Sequence, residues 1–313
     1  MPPIPVILDC DPGHDDALAI ILAAFDPRID LLAITTVAGN GPIEKVTENA
    51  LRICALAGIK VPVAKGAAGP LNGIAESAVN IHGASALDGA ELPEPTFALA
   101  SKNAIELIAD LVESSENSVS LVATGPLTNI AMFISRYPRL LPKVRDLTFM
   151  GGSAGRGNRT PYAEFNIWSD PEAAAIVLHS GLKITMCGLD VTHKALATKE
   201  VFAALSAMKT PVAETIIGLL KYFASTYEDI FGFDDPPLHD PVAIAVLANP
   251  DITNLMPVNV EIELNGLHTR GATIVDLHKV TGREANLQIA LDLDSDQFWQ
   301  DMLAAIVQAG LIK

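Results

Sequence analysis

Four carboxylates crowd into eight residues near the start of the chain, Asp9-Cys10-Asp11-Pro12-Gly13-His14-Asp15-Asp16. Carboxylates this close repel one another unless water solvates them all or a cation neutralises them. Pro12-Gly13 imposes a sharp turn and sets Asp15-Asp16 at the start of a helix, where capping and the positive dipole end explain one or two of the acids. Asp9 and Asp11 need another reason, because they close an apolar run, Ile4–Leu8, that reads as a buried strand. Hard cations take oxygen ligands, and the stretch reads as a site for one.

Other residues carry weaker chemistry. Alternation puts Glu164 and Asn166 on one side of an extended segment, the kind of donor and acceptor pairing a polyol requires. Asn40 and Asn158, taken alone, read as turn formers, and Met150 as core. His82 and His239 are isolated imidazoles, more often structural than catalytic. His239 gains weight from its neighbour Asp240, which could cap the helix beginning at Pro241, hold a metal, or do both. Phe223, Tyr227 and Phe231 recur at i, i+4 and i+8 and read as a core-facing stripe, with Tyr227 the member expected to reach a ligand.

The elements that must position these groups alternate from the start. Strands are expected at Ile4–Leu8, Leu31–Val37, Val61–Ala64, Val119–Ala123, Leu147–Met150 and Ile184–Met186. Helices are expected at Asp15–Ala24, Ile43–Ala57, Ser101–Val112, Leu127–Ser135 and Pro171–His179. Such alternation predicts an α/β fold with a mainly parallel central sheet and helices on both faces. Later come helices at Val212–Phe231, Pro241–Ala248 and Gln297–Ala309, and strands at Val258–Leu264, Ala272–Asp276 and Ala285–Leu291. No linker divides the chain, so residues 1–313 read as one domain, and Gly69–Pro95 reads as a functional loop. In such sheets ligands bind at the carboxyl ends of the strands.

Composition narrows the partners. Half of the 313 residues are apolar, enough for a large core, and aromatics are only 5%, so Ala, Val, Ile and Leu must fill it. A net charge of −16 repels phosphate backbones and anionic lipid heads while tolerating neutral ligands and cations, which argues against nucleic acid and membrane surfaces. Cys10, Cys54 and Cys187 are odd in number and scattered, and read as small buried hydrophobes in a reducing compartment. The N-terminus lacks the pattern of a signal peptide and no apolar run reaches bilayer length, so a cytoplasmic protein is expected.

The acidic stretch strongly resembles the Asp-x-Asp-Pro-Gly-x-Asp-Asp signature of the inosine–uridine preferring nucleoside hydrolase family, with Cys10 where many members carry Thr. The resemblance continues in family order through Val37–Asn40, Asn80–Gly83, Thr124–Asn129, Met150–Gly152, Asn158–Asn166, Leu238–Pro241 and Thr269–Gly271, and leans toward the bacterial pyrimidine-preferring branch. It implies a Rossmann-like nucleoside hydrolase fold and calcium-dependent cleavage of the N-glycosidic bond of ribonucleosides, uridine and cytidine favoured, in nucleoside salvage or catabolism. It implies one calcium per subunit held by Asp11, Asp16, Asp240 and the Thr124 carbonyl, with Asp11 as the general base. It places Asp15, Asn40, Asn158, Glu164 and Asn166 around the ribose with Met150 beneath it, and His82, His239 and Tyr227 near the base. Relatives are commonly homo-oligomers, tetramers favoured over dimers. The family's His-Gly-x-x-Gly-Leu loop reads His82-Gly-Ala-Ser-Ala86-Leu here, and Ala enters positive φ less cheaply than Gly.

Two other readings compete. A magnesium-dependent phosphohydrolase with an aspartate nucleophile fits Asp9-x-Asp11, but the later blocks lack its phosphate-binding partners and the negative charge disfavours anionic substrates. A non-enzymatic calcium- or ribose-binding protein on the same scaffold would have little reason to keep Asp11, Asp16, Asn166 and Asp240 together.

Overall fold

A computed structural model describes residues 2–312. Strand β1 (Ile4–Cys10) lies near the middle of an eight-stranded sheet. Its other members are β2 (Ile29–Thr36), β3 (Val63–Lys65), β4 (Val119–Ala123), β5 (Val144–Met150), β6 (Ile184–Cys187), β7 (Leu255–Val258) and β10 (Leu287–Ala290). The order is β3-β2-β1-β4-β5-β6-β10-β7, parallel throughout except for the edge pairing of β7 with β10. A separate antiparallel ribbon joins β8 (Val260–Ile262) to β9 (Thr273–Val275).

Both faces are covered, and β1 shows why its sequence is apolar nearly throughout. Val6, Leu8 and Cys10 enter one core with helices His14–Phe25, Ile43–Ala57, Pro211–Phe231, Asp240–Ala248 and Ser295–Gly310. Ile7 enters the other, with helices Ala104–Ser114, Thr128–Arg136 and Pro171–Leu178. A strand buried on both faces cannot alternate apolar with polar. Helix Asp240–Ala248 is apolar on all sides after its first residue, and residues 240–247 are all buried.

Caps set several boundaries. Asn103, Asp170, Thr210 and Asp294 each accept a hydrogen bond from a first-turn backbone N–H, worth about 1 kcal/mol apiece. The expected strand over Val258–Leu264 divides at Asn259. β7 ends in the large sheet and β8 begins in the ribbon, a change of partner that hydrophobic patterning does not encode. Helices Leu189–Thr192 and Lys199–Met208 were absent from the expectation. The Gly69–Pro95 stretch is irregular apart from one helical turn, Val79–His82.

Candidate active site

β1 and β4 are neighbours, but the chain leaves β1 outward for β2 and β3 before returning to β4. Loops above them diverge, and this switch point opens a crevice at the carboxyl ends of the strands. Asp11 follows β1, Asn40 follows β2, Thr124 follows β4 and Gly151 follows β5. The backbone N–H of Thr124 donates to the Asp9 carbonyl at 2.8 Å and ties the two central strand ends together.

The floor of the crevice is acidic and dry. Asp9, Asp11, Asp15, Asp16 and Asp240 are all buried. Carboxylate oxygens of Asp15, Asp16 and Asp240 lie within 4.8 Å of one another. Asp11 sits beside them, with Oδ2 accepting from the Asn40 backbone N–H at 2.6 Å and Oδ1 buried without a partner. The Thr124 hydroxyl donates to Asp16 at 2.8 Å. Among the described residues no ion pair reaches the cluster. Burial, reinforced by neighbouring carboxylates, therefore pushes the Asp11 and Asp240 carboxyls well above their usual range. Burial raises Asp9 and Asp15 to about 7 despite the hydrogen bonds each accepts. Loops close on Asp11 because glycines allow it: a Cβ at Gly39 would stand 2.1 Å from Asp11 Oδ2, and one at Gly125 2.5 Å from Oδ1. Asp9 is held a layer below by Thr35 and Asn129, at 2.5 and 2.8 Å.

Above the floor lies a belt of amides and one carboxylate. Asn166 Nδ2 donates to the Thr124 carbonyl at 2.7 Å, and approaches the Met150 carbonyl and Sδ at 3.2 and 3.3 Å. Asn40 Nδ2 donates to Asp16 at 3.2 Å. Asn158 Oδ1 accepts from the Phe165 backbone at 2.9 Å. The extended segment expected at Glu164–Asn166 is instead the start of a short helix, Phe165–Ser169, which Glu164 caps. Its carboxylate accepts from the N–H groups of Asn166, Ile167 and Gly152. Glu164 and Asn166 converge on the cavity because a cap folds back over its first turn. Burial still raises Glu164 to about 7.

The far end is aromatic. Tyr227 Oη and His239 Nε2 are 2.6 Å apart, and Thr192 Oγ1 is 2.8 Å from His239 Nδ1. The His239 backbone N–H donates to Asp15 at 3.3 Å, which couples this end to the floor. Burial drives His239 down to about 3 and His82 well below its usual value, so both rings are neutral near pH 7. Phe223 and Tyr227 are buried in the core as the stripe predicts, and together with Phe231 they also line the cavity.

The cavity opens to solvent at its mouth and is lined by polar and apolar side chains together. Of the residues singled out in the sequence, Asp15, Asn40, His82, Thr124, Met150 and Asn158 line it, as do Glu164, Asn166, Tyr227, His239 and Asp240. Asp11 and Asp16 lie directly beneath, reached through Asn40 and Thr124.

Comparison with known proteins decides the family. The family model described as inosine-uridine preferring nucleoside hydrolase matches residues 6–300. The chain belongs to the inosine–uridine preferring nucleoside hydrolases. It is 47% identical over 302 residues to the pyrimidine-specific ribonucleoside hydrolase RihA of Shewanella woodyi, covering 96% of each chain. To the protein of that name from Escherichia coli it is 45% identical over 303 residues, covering 96% of this chain and 97% of the other. Among solved structures it resembles a purine-preferring ribonucleoside hydrolase from Gardnerella vaginalis, with TM-score 0.92 and 31% identity, covering 98% of this chain and 99% of that one. It also resembles a plant nucleoside hydrolase, with TM-score 0.88 and 27% identity, covering 98% of this chain and 99% of the other. Homologues are N-glycosidases acting on nucleosides, and this chain is an enzyme of that kind.

Within a nucleoside hydrolase the floor fits a divalent cation. The donors are all oxygen, they are buried, no basic side chain compensates them, and Asp11 Oδ1 is orphaned. Asp16 and Asp240 come close enough to share a hydrogen, a role a cation would take over. Two features escaped the sequence reading. Ile81, Arg159 and Phe165 line the cavity, and nothing in their types marks them. His14, inside the signature itself, is fully buried against His82. Ala86 does adopt positive φ, at +63°, at a cost of about 1 kcal/mol relative to Gly. Its methyl group is buried in a small cluster with Ala38, Ile43 and Val46, which offsets that cost. Cys10 is buried with its thiol toward the Thr35 carbonyl, away from any chemistry.

Proposed function

We propose that this enzyme hydrolyses pyrimidine ribonucleosides such as uridine and cytidine to free base and ribose, with calcium at the aspartate floor. The observation that carries the reading is a cavity with an uncompensated buried acid cluster at one end and neutral imidazoles at the other. The pyrimidine assignment is supported by the 45–47% identity to pyrimidine-specific relatives, against 31% to the purine-preferring structure. One calcium per subunit would be held by Asp11, Asp16, Asp240 and the Thr124 carbonyl, whose second lone pair remains after Asn166 takes the first. Calcium, when bound, offers positions to ribose hydroxyls and lowers the pKa of a water.

The protein's own groups divide the remaining work. Asp11 accepts the proton of the attacking water at Oδ1, the oxygen without a protein partner. Asp15, Asn40, Asn158, Glu164 and Asn166 hold the ribose, and their carboxylates stabilise positive charge as the ring becomes oxocarbenium-like. Met150 packs under the sugar. The paired Tyr227 and His239, 2.6 Å apart, supply a hydrogen to the base as it departs, while His82 contacts the base edge. Both histidines are neutral, so each carries one ring hydrogen. The enzyme works in nucleoside salvage or catabolism in the cytoplasm, as a single-domain protomer of a homotetramer. Release of uracil from uridine, measured with calcium and after exhaustive chelation, tests the proposal. A chain that binds uridine but releases no base in calcium would overturn it.

A further inference from the structure

Asn49 lies inside the helix Ile43–Ala57, a buried amide among the buried neighbours Val46, Ala50 and Ile53. A helix interior disfavours Asn, whose amide competes with the backbone, so the position asks for a reason. Nδ2 donates both of its hydrogens, one to the Pro12 carbonyl at 3.0 Å and one to the Ser85 carbonyl at 3.0 Å. Carbonyl oxygens only accept, so the orientation of the amide is forced. Pro12 stands in the turn between Asp11 and Asp15, and Ser85 follows His82 by three residues. We propose that Asn49 is a positioning residue that sets the loop bearing His82 against the acidic turn, and so acts on the base through His82. The role of His82 rests on the nucleoside hydrolase reading; the bridge itself does not.

A link to Ser85 reaches His82 because residues 82–88 are tied into one knot. The Asp88 carboxylate accepts from the backbone N–H groups of Ala84 and Ser85, at 2.9 and 3.1 Å, and from the Ser85 hydroxyl. The Asp88 N–H returns to the His82 carbonyl at 3.1 Å, and the Ala86 N–H to the Gly83 carbonyl at 3.1 Å. Gly83 permits this path: its φ is +80°, and a Cβ there would stand 2.1 Å from the Asp88 carboxylate. Bonds closed inside so short a segment leave it little freedom to bend, so a displacement at Ser85 is carried to the His82 ring. At the other end of the bridge, Ala50, Ile53 and Cys54 fix the helix in the main core, and Asn49 projects from a rigid strut.

The two sides of the bridge differ in what else holds them. The acidic turn keeps its own bonds without Asn49: the Asn40 N–H to Asp11, and the Gly13 N–H and Thr124 hydroxyl to Asp16. The knot has fewer. Lys45, one turn earlier on the same helix, donates through Nζ to the Ala84 carbonyl at 2.5 Å, but at an exposed place where water can substitute for it. His14 stacks on the His82 ring and stands with Nε2 2.6 Å from the Asp88 carbonyl, which holds the far side of the knot and leaves the Ser85 side to Asn49. Loss of the Asn49 amide therefore displaces the knot more than the turn. His82 lines the cavity at its aromatic end, so the displacement is felt by the base rather than by the ribose or the cation.

Asn49→Leu in the full chain tests this, because it keeps the side-chain volume and removes both donors. In calcium, kcat/KM for uridine should fall about 10-fold more than for p-nitrophenyl riboside, whose leaving group presents no pyrimidine edge to His82. In a His82→Ala background that difference should vanish, since Asn49 acts through that ring alone. Equal losses on the two substrates with weaker calcium binding would assign Asn49 to the acidic turn and overturn the inference. A difference that persists without His82, or a lower melting temperature with both rates unchanged, would overturn it as well. Should Asn49→Leu fail to fold, Asn49→Ala leaves room for a water to satisfy both carbonyls and carries the same readouts. Amide hydrogen exchange over residues 82–88, measured without substrate, should quicken about 10-fold in the variant as the knot opens more easily. Unchanged exchange there would overturn the inference whatever the rates. If the unsubstituted protein hydrolyses neither substrate, the proposed activity fails while the exchange still decides the bridge.

Discussion

The two ends of the cavity are built in opposite ways. At the acidic end, Asp9, Asp11, Asp15 and Asp16 come from one stretch of eight residues, carried on the central strand and the helix that follows it. At the aromatic end, His14 meets His82 across 68 residues of chain, and Thr192, Tyr227 and His239 converge from a short turn, a long helix and a loop. The acidic end carries excess negative charge that the protein itself does not neutralise, whereas the aromatic end is neutral, and Tyr227, His239 and Thr192 hydrogen-bond one another. One end is therefore incomplete without a ligand, and the other is a finished surface that a ligand must fit.

Removing the cation tests this difference at its largest. Exhaustive chelation should abolish uridine hydrolysis and calcium should restore it, while near-ultraviolet circular dichroism from the aromatic end stays largely unchanged. Full activity in a verified metal-free sample would show that the floor is complete as it stands. Asp11→Asn should come next, lowering kcat by about 10²–10⁴-fold, the usual worth of a general base, with calcium occupancy measured alongside because Asp11 is also a proposed ligand. A variant with unreduced kcat would assign proton removal to another group.

The same contrast explains what could be read from the sequence. The strands with both faces buried, and the helices starting at Asn103, Asp170 and Thr210, announce themselves through apolar runs and caps within a few residues. The acidic end was legible because its charges are neighbours in the chain, and the repulsion among them poses its own question. Glu164 and Asn166 line the same cavity, but through a local structure other than the expected one, since a capping carboxylate and a strand alternation bring the same two positions together. Phe223 was not legible as a site residue, nor His14 as a neighbour of one. A buried imidazole on an aspartate-rich helix start resembles filler, and an aromatic at i−4 from Tyr227 resembles core, until long-range contacts are known. The break at Asn259, where one apolar run serves two sheets, was hidden for the same reason.

Substitutions at the aromatic end should act through the leaving group. His239→Ala should slow uridine hydrolysis by about 10²-fold, at the lower end for a general acid, while p-nitrophenyl riboside, whose leaving group needs no proton, should slow far less. If the His239 side chain serves only to hold the turn beside Asp15 and Asp240 in place, through its contacts to Thr192 and Tyr227, both substrates should slow equally and calcium affinity should fall. That outcome would erase the division of labour between the two ends.

The smallest effect is on stability, and it isolates the acidic end in the absence of substrate. Burial raises Asp9, Asp15 and Glu164 to about 7 in the folded metal-free protein, from unfolded values near 4. Between those limits the folded chain holds protons that the unfolded chain has released. The unfolded state thus binds fewer protons, and stability must fall as pH rises through this window. Metal-free protein should therefore melt at a higher temperature at pH 5.5 than at pH 8, an inversion of the behaviour of ordinary ion-paired carboxylates such as Glu172 beside Arg270, which is held below its usual range. Saturating calcium should raise the melting temperature most at pH 8, where the carboxylates are ionised, and so flatten or reverse the slope. Glu164 belongs to no proposed ligand set, so Glu164→Gln should reduce the metal-free slope while leaving the calcium-induced shift in place. A metal-free melting temperature that is constant, or that falls on acidification to pH 5.5, would show that the carboxylates are already solvated, and the contrast between an unfinished acidic end and a finished aromatic end would not hold.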